Sequence, residues 1–106
     1  MALRHAGPGE KVHLPSASSP DARTTALVKT DRFETAQLVV RAGVTIQPHS
    51  VPGYAVIYCI EGSVFLDAGQ EIHLQGGDWI YLARDEEHGL RAMQDSSLLL
   101  TVLFDR

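Results

Sequence analysis

The sequence lacks the features by which several classes of protein are recognised. Its one cysteine, Cys59, excludes a disulfide within the chain. Nine Lys and Arg residues stand against thirteen Asp and Glu residues, which gives a formal net charge of −4. Because the basic residues form no cluster, we expect neither nucleic acid nor an anionic membrane as a partner.

Long apolar runs and helical periodicity are missing as well. No run approaches the roughly 18 apolar residues that a membrane-spanning helix needs, and residues 1–10 lack the apolar segment of a secretory signal. We therefore expect a cytoplasmic protein. Gly-x-Ser-x-Gly, Gly-rich phosphate-loop and Cys-x-x-Cys motifs are also missing, so serine hydrolysis, nucleotide binding and a zinc ribbon have no support.

What the sequence does contain is a series of short strand patterns. They recur about every ten residues and are separated by turn signals, most of which contain Gly, Pro or Asp. Regular short strands without a helical segment predict an all-β sandwich or barrel. The predicted strands cover residues 26–30, 35–41, 45–47, 54–60, 63–67, 71–74, 79–83, 88–93 and 97–104.

Two parts of the chain are predicted to differ in organisation. Residues 1–24 are rich in Gly, Pro and Ser and read as an extended arm, in which order must come from docking. Val12 and Leu14 alternate with polar neighbours and could add a short strand to a sheet edge. Residues 25–106 form one domain, which is large enough to bury a core without disulfides.

The run at residues 98–104 is apolar at nearly every position. A strand of this kind must be covered on both faces. A central strand inside the sandwich would satisfy this requirement, and so would a strand at a homodimer interface.

Two stretches, residues 43–62 and 76–88, each carry one histidine beside a turn. Their glycines, aspartate and histidines have the spacing of a known pair of motifs, and the chain resembles small single-domain bacterial cupins. The resemblance implies a cupin double-stranded β-helix, which is a jelly-roll barrel, with the two histidines facing each other in the barrel mouth. It also favours a homodimer. The matching residues are Gly43, His49, Gly62, Gly77, Asp78 and His88.

The chain departs from the cupin pattern where a metal would bind. Val51 replaces the second histidine of the motif, Ala55 replaces its glutamate, and Ala83 and Asp85 occupy the Pro-x-Gly positions. Aliphatic side chains cannot coordinate a metal, and two imidazoles leave most coordination positions to water. This favours a pocket without a tightly bound metal over a divalent transition-metal site at His49 and His88.

The predicted function is to bind a small organic ligand in an apolar barrel cavity. Its walls would come from Val51, Ala55, Ile57 and Cys59, and its polar contacts from His49 and His88. The alternative is a metal-dependent cupin enzyme of the dioxygenase or isomerase type, with both histidines as ligands and Cys59, Tyr54 or water completing the shell. A third possibility is an interaction module with a vestigial pocket.

Overall fold

The computed structural model describes residues 5–104, and within them the chain forms nine strands and no helix. Every predicted strand is present, with ends that differ by at most two residues, which confirms the all-β fold. No helix in this range could therefore cross a membrane. The strands are β1 Thr25–Lys29, β2 Phe33–Val40, β3 Thr45–His49, β4 Gly53–Glu61, β5 Ser63–Asp67, β6 Glu71–Gln75, β7 Trp79–Leu82, β8 His88–Ala92 and β9 Ser96–Phe104.

The strands pair antiparallel in two sheets. One sheet has five strands in the order β1-β2-β9-β4-β7, and the other has four in the order β3-β8-β5-β6. Strand β9 lies between β2 and β4, so the apolar run near the C-terminus is a central strand. One of its faces is buried at Leu98 and Val102, while Leu103 on the other face is 43% exposed.

The core lies between the two sheets and follows the alternation of side chains along each strand. In β4 the buried positions are Ala55, Ile57 and Cys59, and in β5 they are Val64 and Leu66. Complete burial of a Val or Leu side chain contributes about 1.5–3 kcal/mol relative to leaving it exposed. Inward-facing aliphatic residues from both sheets therefore hold the barrel closed.

The N-terminal arm is ordered because two charged side chains of the barrel bind its backbone. The Glu61 carboxylate accepts hydrogen bonds from the Ala17 N–H and, at 3.3 Å, from the Ser16 hydroxyl. The Arg41 guanidinium donates to the carbonyl oxygens of Ala17 and, at 2.9 Å, of Ala22. Both alanines are buried. These hydrogen bonds dock residues 16–22 of the arm on the barrel.

The arm does not contribute the short strand that the alternation at Val12 and Leu14 suggested. Residues 5–24 contain turns and extended backbone but no strand, and Val12 is 46% exposed. A single backbone hydrogen bond, from the Ala6 N–H to the Leu27 carbonyl at 2.7 Å, joins the start of the arm to β1. Two alternating residues are too weak a signal to specify strand pairing.

Candidate functional site

His49 and His88 lie opposite each other on neighbouring strands because β3 contains a bulge. Ile46 pairs with Leu90, and the register then shifts so that His49 pairs with His88. In a regular strand, positions 46 and 49 would face opposite sides of the sheet. The bulge adds a residue and turns His49 to the same side as His88.

Two residues next to the histidines explain why the bulge forms. Pro48 has no N–H to give to a ladder, and proline within sheets is found at edges and bulges. Gly89 allows β3 to approach closely, since a Cβ at this position would lie 2.7 Å from the Ile46 carbonyl oxygen and 3.0 Å from the Pro48 nitrogen. Sequence reasoning missed both residues, although Pro within a strand pattern is a recognisable signal of a bulge.

The two imidazole rings are in contact at the end of the barrel. Their centroids are 4.8 Å apart and their planes are inclined by 50°. His88 is only 4% exposed, whereas His49 is open to solvent. A molecule arriving from solvent would therefore meet His49 first.

Local hydrogen bonds determine the tautomer of both rings. His49 Nδ1 lies 3.2 Å from the Gln47 carbonyl oxygen, and His88 Nδ1 lies 3.1 Å from the Glu86 carbonyl oxygen. A carbonyl oxygen can only accept, so each Nδ1 must carry the proton and donate it. In the neutral imidazole each Nε2 then has a free lone pair, which can bind a metal or accept a hydrogen bond.

The four residues predicted to line an apolar cavity all pack on the inner side of the barrel. Val51 is partly buried and packs against the core cluster, while Ala55, Ile57 and Cys59 are 1%, 2% and 0% exposed. A ligand beside His49 would thus reach Val51 before the deeper residues. The cavity lining remains a prediction.

Cys59 lies at the far end of this row from the histidines. At about 3.3 Å per residue it is roughly 13 Å along β4 from Ala55. Its thiol donates to the Glu61 carbonyl oxygen at 3.6 Å. Burial raises the pKa of the thiol, and the negative charges of Asp78 and Glu61 raise it further. At neutral pH Cys59 is therefore an uncharged thiol, which is the form least able to bind a metal.

Tyr54, the other residue expected to complete a metal shell, is held elsewhere, and so is the carboxylate of Glu86, which lies two residues before His88. Tyr54 lies on the outer face of the five-stranded sheet with the Arg84 guanidinium 5.3 Å from its ring centroid. The Glu86 carboxylate accepts a hydrogen bond from the Ala83 N–H at 3.2 Å, which closes the turn before His88. Within residues 5–104 no three His, Cys, Asp or Glu side chains are grouped to hold a metal ion.

The turn before His88 contains one residue in the left-handed conformation. Asp85 stands where the motif has glycine, and its φ is 60°, the one non-glycine residue with positive φ among residues 5–104. Asp is one of the few residues that tolerates this left-handed conformation. Asp85 therefore allows the tight turn that leads into His88 at the start of β8.

Comparison with known proteins agrees with this geometry. The profile of the AraC-like ligand binding domain matches residues 39–103, a segment that contains both histidines. A comparison with curated proteins finds no match.

Solved structures extend the similarity over the whole chain. A cupin superfamily protein of Desulfitobacterium hafniense superposes with a TM-score of 0.80 at 20% identity, covering 97% of this chain and 100% of the other. A conserved Streptococcus pyogenes protein of unknown function gives 0.79 at 18% identity, covering 100% and 99%. An HTH_3 family transcriptional regulator of Vibrio cholerae gives 0.69 at 20% identity, covering 78% of this chain and 51% of that one.

At these identities the solved structures establish the fold, while the profile match establishes the family. The all-β fold of nine strands in two sheets agrees with both. The chain belongs to the AraC-like ligand-binding domain family and folds as a cupin jelly-roll barrel.

Proposed function

We propose that this protein binds a small organic molecule at the end of the barrel where His49 and His88 meet. The observation that carries the proposal is that both imidazole rings have the same tautomer and the same kind of hydrogen bond. Each donates its Nδ1 proton to a backbone carbonyl and leaves Nε2 as an acceptor. Two acceptors on rings 4.8 Å apart suit a neutral ligand with two neighbouring hydrogen-bond donors, such as a vicinal diol.

The inner wall supports an uncharged ligand. Val51 and Ala55 replace the ligands of the metal-binding motif with apolar side chains, and the partly buried Val51 would offer apolar surface to a ligand at the rings. Small-molecule sites in proteins commonly combine an apolar lining with a few placed polar groups. A ligand of this kind would be oriented by the imidazoles and held by apolar contact.

A thermal-shift screen of sugars, polyols and aromatic alcohols tests the proposal. A compound present at 100 times its Kd should stabilise the protein by about 2.7 kcal/mol. His49→Ala and His88→Ala should abolish this shift, while His13→Ala, which alters an exposed histidine of the arm, should preserve it. Stabilisation that survives both barrel substitutions would contradict the proposed site.

Metal analysis of the freshly purified protein distinguishes the enzyme alternative. Binding without a metal predicts much less than one transition-metal ion per chain. One ion per chain, lost in His49→Ala and in His88→Ala, would instead support a metal-dependent cupin enzyme. Val51→His combined with Ala55→Glu restores the motif and should create a metal site if the backbone follows the family geometry.

We also propose that two copies of the chain associate through the outer face of the five-stranded sheet. Apart from Glu61 at the end of β4, which binds the arm, the outward positions of β4, β7 and β9 carry no charged residue. The large apolar side chains among them are substantially exposed: Tyr54 39%, Tyr58 40%, Trp79 59%, Tyr81 59% and Leu103 43%.

A second copy is the occupant that fits this face best. Aromatic residues are enriched and charged residues depleted in interface cores. A two-fold dimer brings the same patch together from both partners, so an uncharged patch meets itself without repulsion. The docked arm covers Gln37 and the Glu61 end of β4, while the aromatic side chains of β4 and β7 remain exposed. Sedimentation equilibrium should give twice the chain mass of 11.6 kDa.

A further inference from the structure

The outer face of the four-stranded sheet carries a row of side chains that cross three strands. Arg91 of β8 and His73 of β6 are both Cα partners of Phe65 on β5. The Arg91 guanidinium carbon lies 5.4 Å from the Phe65 ring centroid, and the His73 ring stacks on Phe65 at 4.7 Å. His73 is held in turn by Ser63, whose Oγ lies 2.6 Å from Nε2.

Two carboxylates stand next to this row. Asp67 and Glu71 are direct Cα partners at the end of the β5–β6 hairpin. Side chains at such positions have Cβ atoms about 4.5–5.5 Å apart, and like charges placed there are destabilising. In the part of the chain that the structure describes, no ion pair involves Asp67, Glu71 or Arg91. The hairpin thus places two carboxylates next to each other, and neither forms an ion pair with a basic side chain of residues 5–104.

Arg91 is near enough to the carboxylates to share a ligand with them. Asp67 is two residues beyond Phe65, the partner of Arg91, and such diagonal neighbours lie about 7–8 Å apart. The guanidinium nevertheless lies over Phe65, and within residues 5–104 it forms no ion pair that would occupy its N–H donors. The Arg91 guanidinium and the Asp67 and Glu71 carboxylates therefore lie on the same face of the sheet without forming an ion pair.

A cleft of about 430 Å³ joins these groups. It is lined by Thr45, Phe65, Asp67, Gly69, Gln70, Glu71 and Arg91. Gly69, with φ of 83°, forms the tight turn that brings Asp67 and Glu71 opposite each other. The volume is ample for one amino acid, and the lining provides an anionic end, a cationic end and an aromatic edge.

We propose that this cleft is a second binding site and that its ligand is a zwitterion of the α-amino-acid class. The ammonium group of the ligand lies between Asp67 and Glu71 and relieves their repulsion. Its carboxylate is held by the Arg91 guanidinium, whose planar donors match a carboxylate in a two-point contact. The site is on the outside of the barrel and is separate from the His49 and His88 pair.

Backbone-amide NMR titration with each of the 20 common L-amino acids, at about 10 mM, tests this proposal. At least one should shift the amides around residues 65–71 and 91. The analogue of that amino acid without its ammonium group, and the amine without its carboxylate, should each bind at least about tenfold more weakly. Failure of every amino acid to shift these amides, or equal binding of either analogue, would overturn the proposal.

Substitutions test which side chains bind the carboxylate and the ammonium group of the ligand. Arg91→Gln and the pair Asp67→Asn with Glu71→Gln should each weaken binding at least about tenfold. Glu87→Gln removes an exposed carboxylate elsewhere, and His49→Ala removes a barrel histidine, so both should bind as the unmodified protein does. Binding lost in His49→Ala would place the ligand in the barrel instead. Shifts produced by calcium chloride but by no amino acid would show a simple cation site and would also overturn the proposal.

Discussion

The outer faces of the two sheets differ in chemistry although they belong to one barrel. The five-stranded sheet presents Trp79, Tyr81 and other uncharged side chains, whereas the four-stranded sheet presents Asp67, Glu71 and Arg91. Uncharged aromatic surface favours burial against another protein, and separated charges favour water or a charged small molecule. Side chains that point outward from a strand do not pack in the core between the sheets. The two outer surfaces can therefore differ in chemistry without changing the fold.

The largest effect on stability should come from a substitution in the core between the two sheets. Leu66 is fully buried on β5, and Leu66→Ala should lower the free energy of unfolding by about 2–5 kcal/mol through lost burial and a cavity. Leu103→Ala, on the outer face, should cost the isolated chain less than about 1 kcal/mol. Urea denaturation at a chain concentration below the dimer Kd, where the chain is a monomer, measures both. Equal losses would mean that the outer face contributes to the fold of the single chain.

The dimer face should be the next most sensitive. Val56 is flanked by Tyr54 and Tyr58 at outward positions of β4, so Val56→Arg places a charge where two copies would meet. We expect the dimer Kd to rise at least about 100-fold, which corresponds to about 2.7 kcal/mol. Gln75→Arg puts the same charge on the outer face of the other sheet and should leave the mass unchanged. Analytical ultracentrifugation over a dilution series compares them, and dissociation by Gln75→Arg would contradict the assignment of the interface.

A smaller effect should come from the charged face. Asp67→Asn removes one of two like charges opposite each other on β5 and β6, and without ligand it should stabilise the chain by about 0.2–1 kcal/mol. Added salt should reduce the gain, because exposed charges are screened. Thermal unfolding at low and high salt measures it. A loss of stability in Asp67→Asn would show that the carboxylate has a stabilising partner in the protein.

The smallest effect should be seen at high pH on the inner side of the five-stranded sheet. The pKa of Cys59 is raised in the folded chain by burial and by the charges of Asp78 and Glu61. Above about pH 9 the unfolded chain loses a proton that the folded chain retains. Stability should therefore be unaffected below that pH and should fall as the pH rises.

Cys59→Ala provides the control for this titration. It should lower stability at all pH values through lost packing but remove the part of the alkaline decline that Cys59 causes. Denaturation between about pH 7 and 10.5 compares the slopes. An alkaline decline of the same steepness in Cys59→Ala would show that other groups cause it.

The strands could be predicted closely, whereas the candidate site could be predicted only in outline. Alternation along residues 54–60 shows which side chains are buried, and turn residues mark the strand ends. His49 and His88 were identified by their spacing in a motif, and the structure brings them together. Pro48 is a local signal of the bulge, but its close approach to Gly89, which accompanies the turn of His49 to the side of His88, joins two strands and cannot be read from either one alone.

By itself, the sequence determined the nine strands, the inward and outward positions along each strand, and the replacement of two metal ligands by Val51 and Ala55. These properties depend on neighbours within a few residues. The tertiary structure alone decided that β9 would lie between β2 and β4, that Glu61 and Arg41 would bind the arm, and that Arg91 would lie over Phe65. These contacts join residues far apart in the chain, and their pairing is settled only when the whole barrel closes around one core.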